Sequence, residues 1–366
     1  MKPEHRAYRT VDGNVRIGSV VHGVGAEVKD PDGWVWTLVE AMDGTRSASD
    51  VVAEVARRHP HLRLPEPDIA QAMTDLTAAG YVEDAGAAPP AELSERERER
   101  YGRGMTLLRW MDLSPRASAW EPQLALRRSR VLLVGLGGTG SAAARDLVAS
   151  GVGLLHCVEP DVVELSNLNR QTLFREADLG TPKLDAALTA LRALNSDATV
   201  TGERGEVRGP SDLEDLLTGG GPRYDLLLLA ADRPPVIRRW ANQVCLATGT
   251  PWAEAGYRGP LVSAGVFAPG RGACWECLRS AEIERRDLRL VPGQDEEAAS
   301  PRMPWNPVNA VTASLSGGLL AHAAIMLLCG IPPVEPGCRF GLNLMVPGEA
   351  ITQRAERRAD CPACGT

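Results

Sequence analysis

Residues 131–140 read Val-Leu-Leu-Val-Gly-Leu-Gly-Gly-Thr-Gly, and this stretch decides the fold. Its four apolar residues predict a buried strand, and a segment with helical periodicity follows it through Val148. The pattern Gly-x-Gly-x-x-Gly between a strand and a helix lets backbone N–H groups approach phosphates at the helix N-terminus. It therefore predicts a nucleotide-binding turn formed by Gly135, Gly137, Gly138 and Gly140.

A second predicted strand, 154–158, ends in Glu159, an acidic residue placed to accept hydrogen bonds from ribose hydroxyls. Patterns of strand, turn and helix repeat from Arg128 onward, so we expect a Rossmann-like, doubly wound α/β sheet. A nicotinamide-dependent dehydrogenase would share all of these features. An exposed glutamate at a strand end, without a ligand, is the plainer alternative for Glu159.

Three further segments distinguish between these classes of nucleotide-binding protein. They read Ser-Asn-Leu-Asn-Arg-Gln at 166–171, Thr-Pro-Lys at 181–183 and Ala-Ala-Asp at 230–232. In order and spacing they resemble the ThiF/MoeB-type adenylyltransferases of the ubiquitin-activating superfamily. A charged helix at 92–103 resembles the entry helix of that family, so the similarity runs from 92 to 366.

The resemblance implies a role for the polar residues of these segments. Asn167, Arg170 and Lys183 bind the triphosphate of ATP, and Asp232 holds Mg²⁺. Arg103 reaches the γ-phosphate, in relatives from the partner subunit of a dimer, so a homodimer is expected.

Carboxylate activation explains why these residue types are needed. A carboxylate that attacks the α-phosphate approaches an ATP with about four negative charges. Cationic side chains and a metal ion reduce that repulsion and stabilise the charge that develops on the departing pyrophosphate. The substrate carboxylate is the nucleophile, so catalysis rests on positioning and electrostatics rather than on a protein nucleophile.

Two Cys-x-x-Cys pairs predict a metal site. Cys274/Cys277 and Cys361/Cys364 can give four thiolates to one zinc ion, which is the closed arrangement of a structural site. A redox dithiol is the alternative, but it needs only one pair. Some members of the resembled family use a further cysteine after the first pair to form a thioester, and residues 278–308 contain none. The other four cysteines are expected to pack in apolar surroundings: Cys157, Cys245, Cys329 and Cys338.

The first 85 residues have the pattern of a small winged-helix α+β domain. Short strands near 15–17 precede three helices, at 33–42, after the capping residue Ser47 and from about 67 to 80. Tyr81-Val82 is expected to form a further strand. Residues 86–91 read as a linker, and 92–366 as the adenylation domain.

The charge of this first domain argues against DNA binding. Residues 1–86 hold nine Lys/Arg and fourteen Asp/Glu, and a polyanion needs cationic phosphate contacts. Addition of an extended peptide to an exposed sheet edge fits the domain better. The segment 34–46 resembles the precursor-peptide recognition domains of ribosomal peptide natural product pathways.

The combination of domains predicts a peptide-modifying enzyme. A peptide-recognition domain joined to an adenylating domain resembles the microcin C-type peptide adenylyltransferases, which activate a peptide carboxylate with ATP. Tyr257, Arg258 and the region 302–306 are expected to line the acceptor channel. Two alternatives stay open, namely an activator of a ubiquitin-like sulfur carrier that ends in Gly-Gly, and a leader-peptide adaptor for a cyclodehydratase. A dehydrogenase explains neither Lys183 nor the cysteine pairs.

Composition gives no sign of a membrane or nucleic-acid partner. The net charge of −7 provides no general attraction to polyanions. The longest apolar run, 315–331, is shorter than the roughly 20 residues that cross a bilayer and predicts a buried core helix. With no apolar stretch behind Met1, the expectation is a soluble, cytoplasmic protein.

Overall fold

The computed structural model describes residues 1–19, 24–221, 223–286, 288–291, 294, 303 and 305–365. The chain forms two compact units, 1–124 and 125–366. The first unit contains a three-stranded antiparallel sheet in the order β1-β2-β3. Its strands are β1 (Tyr8–Arg9), β2 (Val15–Ser19) and β3 (Val24–Val28), and its helices are α1 (Trp34–Ala41), α2 (Ala48–Arg58), α3 (Glu66–Ala78) and α4 (Glu95–Met111). Helix α5 (Glu121–Arg128) crosses the boundary between the units.

Local sequence explains where the helices of the first unit begin. Ser47 and Ser94 each cap a helix: their hydroxyl groups accept from Asp50 N and Glu97 N, both at 3.2 Å. In both helices the carboxylate of that same Asp or Glu accepts a hydrogen bond from the backbone N–H of the capping serine, which completes a capping box. All four predicted helices are present, although α4 begins at Glu95 and not at the expected residue 92. Helix α4 extends beyond its expected end to Met111.

The expected strand at Tyr81-Val82 is wrong, because the described residues after α3 form no strand there. Tyr81 is buried, and its carbonyl accepts one backbone hydrogen bond from Lys2 N at 2.9 Å. All three strands of the unit precede its three short helices, and the winged-helix assignment stays a prediction.

Ion pairs explain why helix α4 belongs to the first compact unit. Arg109 on α4 pairs with Glu4 and with Glu83, the latter at 3.2 Å. Lys2 Nζ also donates to the carbonyl of Asp112, directly after the helix, at 2.8 Å. The predicted domain boundary, a linker at 86–91, differs from the boundary between the two compact units at 124/125 and stays a prediction.

The second unit is built on an eight-stranded sheet in the order β11-β10-β9-β8-β7-β4-β5-β6. Strands β6, β5, β4, β7 and β8 are parallel, and β9, β10 and β11 extend the sheet antiparallel. The strands are β4 (Arg130–Val134), β5 (Leu154–Val158), β6 (Thr199–Glu203), β7 (Leu226–Leu229), β8 (Trp252–Arg258), β9 (Leu261–Phe267), β10 (Cys338–Asn343) and β11 (Ala350–Arg354).

Helices cover both faces of this sheet, which confirms the doubly wound, Rossmann-like prediction. Val131 and Leu133 of β4 pack on one side, and Leu132 and Val134 on the other. The first side is covered by α6 (Gly138–Ser150), α7 (Lys183–Leu194) and α11 (Ala310–Cys329). The second side is covered by α8 (Pro210–Thr218), α9 (Ile237–Thr248) and α10 (Trp275–Arg285).

Helix α11 is long and apolar enough to cross a membrane by length and composition, and half of its apolar window is buried. It crosses α6 closely at Gly317, where a Cβ atom would lie 2.7 Å from Thr139 O and 2.8 Å from Ala143 N. The Thr139 and Ser316 hydroxyl groups also lie 2.9 Å apart in this contact. These contacts support the interpretation of the apolar run as a core helix.

Candidate nucleotide and metal sites

At two positions of the glycine-rich turn between β4 and α6, neighbouring backbone atoms leave no room for a side chain. Gly135 has φ +95°, and a Cβ there would lie 2.9 Å from Ala231 N. At Gly140 a Cβ would overlap the carbonyl oxygen of Gly135. The turn thus folds against both the start of α6 and the chain that follows β7.

The other two glycines of the turn have different surroundings. A Cβ at Gly137 would meet nothing within 4 Å, so the backbone is open on that side. At Gly138 the Cβ position lies 2.9 Å from Ala313 Cβ on α11 and 3.7 Å from Arg170 Cγ. A cationic side chain therefore stands beside the N-terminus of α6, where backbone N–H groups already favour anions.

Glu159 braces this turn from the end of β5. Its buried carboxylate accepts from Leu136 N, inside the turn, at 2.6 Å and from Asp161 N at 2.9 Å. The structure thus brings Glu159 to the predicted site. Each carboxylate oxygen has a further lone pair for a ligand, and its role at the ribose stays a prediction.

Lys183 is held at the first position of α7 by a residue that sequence reasoning missed. Its Nζ lies 2.9 Å from Asp161 Oδ2, and its backbone N donates to Asp161 O at 2.9 Å. The lysine side chain is 6% exposed and the aspartate side chain 64% exposed. The available signal was a second acidic residue two positions after Glu159, at the carboxyl end of the same strand.

The short 3-10 turn Leu165–Asn167 positions Asn167, its last residue, and Arg170, three residues further along the chain. Asn167 is buried, and its Oδ1 accepts from Glu164 N at 3.1 Å. Arg170 Nη1 donates to Ser166 O at 2.6 Å. In the structure Asn167 therefore shapes the loop that presents Arg170, and its predicted contact with ATP stays a prediction.

Asp232 is exposed and follows the Ala230-Ala231 segment that packs on Gly135. It lies within electrostatic reach of Tyr257 on β8, as does Arg170. Burial raises the pKa of Tyr257; the Asp232 carboxylate acts in the same direction and the Arg170 guanidinium in the opposite one. The structure thus brings together Arg170, Asp232 and one residue of the predicted acceptor region.

One more residue of the acceptor region lies beside Tyr257, whereas Arg103 lies in the first unit. Asn306 of the acceptor region donates to Tyr257 O at 2.8 Å, whereas Arg302 and Pro304 lie outside the described residues. Arg103 is an exposed residue of α4 in the first unit, and its role at the γ-phosphate stays a prediction.

The four predicted zinc ligands form one cluster. Their sulfur atoms all lie within 4.8 Å of one another. Cys274 Sγ is 3.8 Å from Cys277 Sγ and 3.6 Å from Cys361 Sγ, and Cys277 Sγ is 3.5 Å from Cys364 Sγ. Four thiolates at about 2.3 Å from a tetrahedral zinc would lie about 3.8 Å apart. The donor set therefore fits a structural zinc ion.

Backbone groups prepare one of these thiols for a metal. Burial acts to raise the pKa of Cys361, but the backbone N–H groups of Ala363 and Cys364, together with the thiols of Cys277 and Cys274, outweigh it and lower that pKa to about 7. Burial raises the pKa of Cys274 and Cys277, so these two thiols depend on a cation to become thiolates.

The other cysteines are packed in the fold, as expected. Burial raises the pKa of Cys157 to about 12 and also raises that of Cys245. Cys338 is the buried first residue of β10. Thus no cysteine outside the cluster is an exposed nucleophile within the described ranges.

Comparisons with known proteins found similar sequences and a similar fold. The ThiF family matches residues 109–363. Molybdopterin-synthase adenylyltransferase of Escherichia coli (strain K12) is 38% identical over 276 residues, which cover 75% of this chain and 99% of that protein. Adenylyltransferase and sulfurtransferase MOCS3 of Bos taurus is 31% identical over 328 residues, which cover 86% of this chain. This chain spans 63% of the length of the bovine protein.

Solved structures also match the whole chain. E. coli MccB with MccA-N7isoASN has a TM-score of 0.73 at 20% sequence identity, and the match covers 100% of this chain and 99% of that one. At this level of identity the likeness concerns the fold.

Proposed function

The chain belongs to the ThiF family, and from this premise we propose that it uses ATP to adenylate a peptide carboxylate, with release of pyrophosphate, in ribosomal peptide natural product biosynthesis. The observation that carries the proposal is the gathering of Arg170, Asp232 and the glycine turn at one end of the parallel strands. Arg170 lies beside Gly138, and the segment before Asp232 packs on Gly135. Ligands of open α/β sheets bind at this carboxyl end of the strands.

Each group has a function in the proposed reaction. The turn and the N-terminus of α6 hold phosphates, and Arg170 and Lys183 offset their charge. A carboxylate oxygen of the substrate bonds to the α-phosphorus as the bond to the β,γ-pyrophosphate breaks, and the acyl-adenylate remains. Asp232 would hold the Mg²⁺ that accompanies ATP and neutralises the leaving group. The Cys₄ cluster would hold zinc as a structural ion.

The first unit supports a peptide as the substrate. The family match begins at residue 109, so the three-stranded sheet lies outside it. The E. coli molybdopterin-synthase adenylyltransferase leaves a quarter of this chain unmatched, whereas MccB, solved with MccA-N7isoASN, matches all of it. Strand β3 pairs only with β2 among the described residues, so it is an edge strand of the kind to which an extended peptide can add.

A carrier protein is the second candidate substrate. The relatives include the SAMP-activating enzyme E1 of Haloferax volcanii, and 67% of this chain matches it at 31% identity. A carrier would present a C-terminal Gly-Gly to the same site. An adaptor that binds a leader peptide without turnover is the third possibility, although Arg103, Arg170, Lys183 and Asp232 are all present. We further propose a soluble, cytoplasmic homodimer.

The test is exchange of labelled pyrophosphate into ATP, measured with the whole protein. The substrates are a small precursor peptide encoded beside this chain and, separately, a carrier that ends in Gly-Gly. Peptide-dependent exchange that Asp232→Ala abolishes supports the proposal. Exchange with the carrier alone would favour sulfur transfer, and tight peptide binding without exchange would identify an adaptor.

A second experiment tests the recognition surface. Ala26→Pro and Glu27→Pro are neighbouring substitutions in β3 whose N–H groups point to opposite edges of the strand. One removes a hydrogen bond to β2, and the other removes an outward N–H group. The variant that loses the hydrogen bond to β2 should be the less stable of the two. We expect the other variant, which loses only the outward N–H group, to stay folded and to bind ATP but not the peptide. Unchanged peptide binding in a folded outward variant would exclude strand addition at β3.

A further inference from the structure

Helix α9 is fastened to the segment that carries the first cysteine pair. Asn242 on α9 is 1% exposed, and its Oδ1 accepts from Trp275 N, between the two cysteines, at 3.0 Å. One turn earlier, Arg239 Nε lies 2.5 Å from Glu276 Oε1, and Glu276 is buried. Two polar side chains of α9 thus contact adjacent residues of the Cys-x-x-Cys pair.

The amide nitrogen of Asn242 is the unexplained part of this contact. Nδ2 is buried and has no hydrogen-bond partner among the described residues. A buried amide donor without an acceptor is costly, and native proteins rarely retain one without a function. Because Oδ1 holds the backbone of Trp275, the amide lies next to Cys274, and the Asn242 side chain acts to lower the pKa of the Cys274 thiol against the effect of burial. A thiolate at Cys274 would be a better acceptor for Nδ2 than the thiol.

We propose that Asn242 is a positioning residue of the Cys₄ site: with a metal ion bound, its Nδ2 donates to the Cys274 thiolate while its Oδ1 keeps Trp275 N in place. Hydrogen bonds from outside the ligand set orient the ligands and reduce the charge on them. One planar amide would then hold both the sulfur atom and the backbone of the first cysteine pair. When a metal ion is bound and Cys274 is a thiolate, the buried Nδ2 of Asn242 gains a hydrogen-bond acceptor.

The same helix connects the metal site to the nucleotide site. Helix α9 begins five residues after Asp232. Arg238, near its start, lies 2.7 Å from the buried Glu254 of β8. The effect of Asn242 on the metal does not rest on the proposed function.

The experiment measures zinc release from the purified whole protein into an excess of a chromophoric chelator. Asn242→Asp keeps the shape and the acceptor but removes the donor, and Asn242→Leu removes both. The matched controls are Gln243→Glu and Gln243→Leu, at the exposed neighbouring residue. We expect release about 10- to 100-fold faster in both Asn242 variants and unchanged release in the controls. Release from Asn242→Asp at the wild-type rate would overturn the proposal.

Cobalt substitution gives a readout that does not depend on stability. With Co²⁺ in place of zinc, loss of an N–H donor raises the energy of the sulfur lone pair. The thiolate-to-cobalt charge-transfer band should therefore move to lower energy in Asn242→Asp, with no shift in Gln243→Glu. A band at the wild-type position would show that Nδ2 does not contact the thiolate. Failure of pyrophosphate exchange in the wild-type protein would leave both metal measurements interpretable, so the two proposals fail separately.

Discussion

Lys183 is the residue of the nucleotide site whose surroundings are defined most closely. Its ammonium group is buried against Asp161, while Asp161 itself remains largely exposed. The carboxylate therefore holds the lysine in place from the solvent side. A phosphate that enters beside α7 would meet a positioned cation and would not have to order a flexible one.

Removal of the positioned charges should abolish adenylation without unfolding the protein. We expect Lys183→Ala and Asp232→Ala to lower pyrophosphate exchange by about 100-fold or more, since each removes a charge that acts on the transition state. The fold should persist for two reasons. Asp232 is exposed, and Asp161, which loses its partner in Lys183→Ala, is exposed and remains hydrated. The rate of pyrophosphate exchange at saturating ATP measures the loss of adenylation, and circular dichroism measures whether the fold is retained.

The control for these substitutions is Asp185→Ala, an exposed residue on the same helix as Lys183. It should exchange pyrophosphate at the wild-type rate. Near-normal turnover in both test variants would contradict the assignment of the site.

His5 should make the first unit sensitive to mild acid. It is buried with its ring edge-on to Tyr81, and burial lowers its pKa, as does the charge of Lys2, while Glu4 opposes the shift. Below the ordinary pKa of about 6.5 the unfolded chain binds a proton that the folded chain does not. Stability should therefore fall as the pH drops through this value, until His5 is also protonated in the folded state.

The pH effect is measured by thermal unfolding between pH 7.5 and 5.5. His5→Phe should show a smaller loss of Tm than the wild type over this interval, and His61→Gln, an exposed histidine, should not. Since burial also lowers the pKa of His156 and His322, part of the wild-type loss should remain. An equal loss of Tm in His5→Phe and the wild type would show that His5 is not responsible.

At this scale the sequence predicts residues whose chemistry is local. The glycines of the turn follow from a continuous motif between a strand and a helix, and the structure shows why Gly135 and Gly140 cannot carry side chains. Asp161 was missed because its pairing partner Lys183 lies 22 residues away. The proximity of Tyr257 to Arg170 and Asp232 depends on the order of the strands, which no motif contains.

Among the elements, the crossing of α6 and α11 depends on one glycine and tolerates change at its neighbour. A Cβ at Gly317 would overlap Ala142 Cβ, whereas a Cβ at Gly318 would lie 4.0 Å from its nearest neighbour, Asp146 Oδ2. We expect Gly317→Ala to destabilise the protein by about 1–3 kcal/mol through overpacking. Gly318→Ala should stabilise it by about 0.5–1 kcal/mol, since alanine costs less entropy in a helix.

Urea unfolding of the two variants and the wild type tests the crossing. The two residues are adjacent in one helix, so helix propensity acts equally on both and only the packing differs. Equal shifts in the two variants would show that α11 does not pack on α6 at Gly317.

Element prediction succeeded where a local signal marks a boundary. The capping residue Ser47 gives the start of α2, because the cap and its partner Asp50 lie three residues apart. Helix α4 begins after Ser94 at Glu95, three residues later than the expected start at 92. The strand at Tyr81-Val82 failed because apolar residues alone do not create a strand. The Tyr81 carbonyl accepts one hydrogen bond from Lys2 N, and the side chain packs in the core of the first unit.

For the whole molecule, the Cys₄ cluster joins parts of the chain that are far apart. Cys274 and Cys361 are 87 residues apart in sequence and contact each other. Sequence predicted this pairing, because two Cys-x-x-Cys units supply the four thiolates of one site. It did not predict that β9, β10 and β11 would extend the parallel sheet antiparallel, since no short motif specifies strand order.

Metal removal should therefore weaken the second unit and spare the first. A Cys₄ site contributes several kcal/mol, and each kcal/mol shifts the Tm of a unit of this size by about 2–4 °C. We expect a chelator to lower the Tm at which the second unit unfolds by about 10 °C. Hydrogen exchange should rise in 274–285 and 350–365 but not in 34–78.

Cys361→Ser, which removes one ligand, should reproduce the effect of the chelator and should not respond to added zinc. Protection that is unchanged by chelation in 274–285 would mean that the cluster is not a structural metal site.

The distance between the two cysteine pairs also sets an order of events during protein synthesis. A ribosome that has made the first pair must still add the whole of α11 and the β10–β11 hairpin before the second pair exists. The nascent chain can fold its N-terminal unit early, whereas the metal can complete its tetrahedron only at a late stage. Any product truncated between 278 and 360 would expose an unpaired dithiol, a chemical mark by which a cell could distinguish it from the completed enzyme.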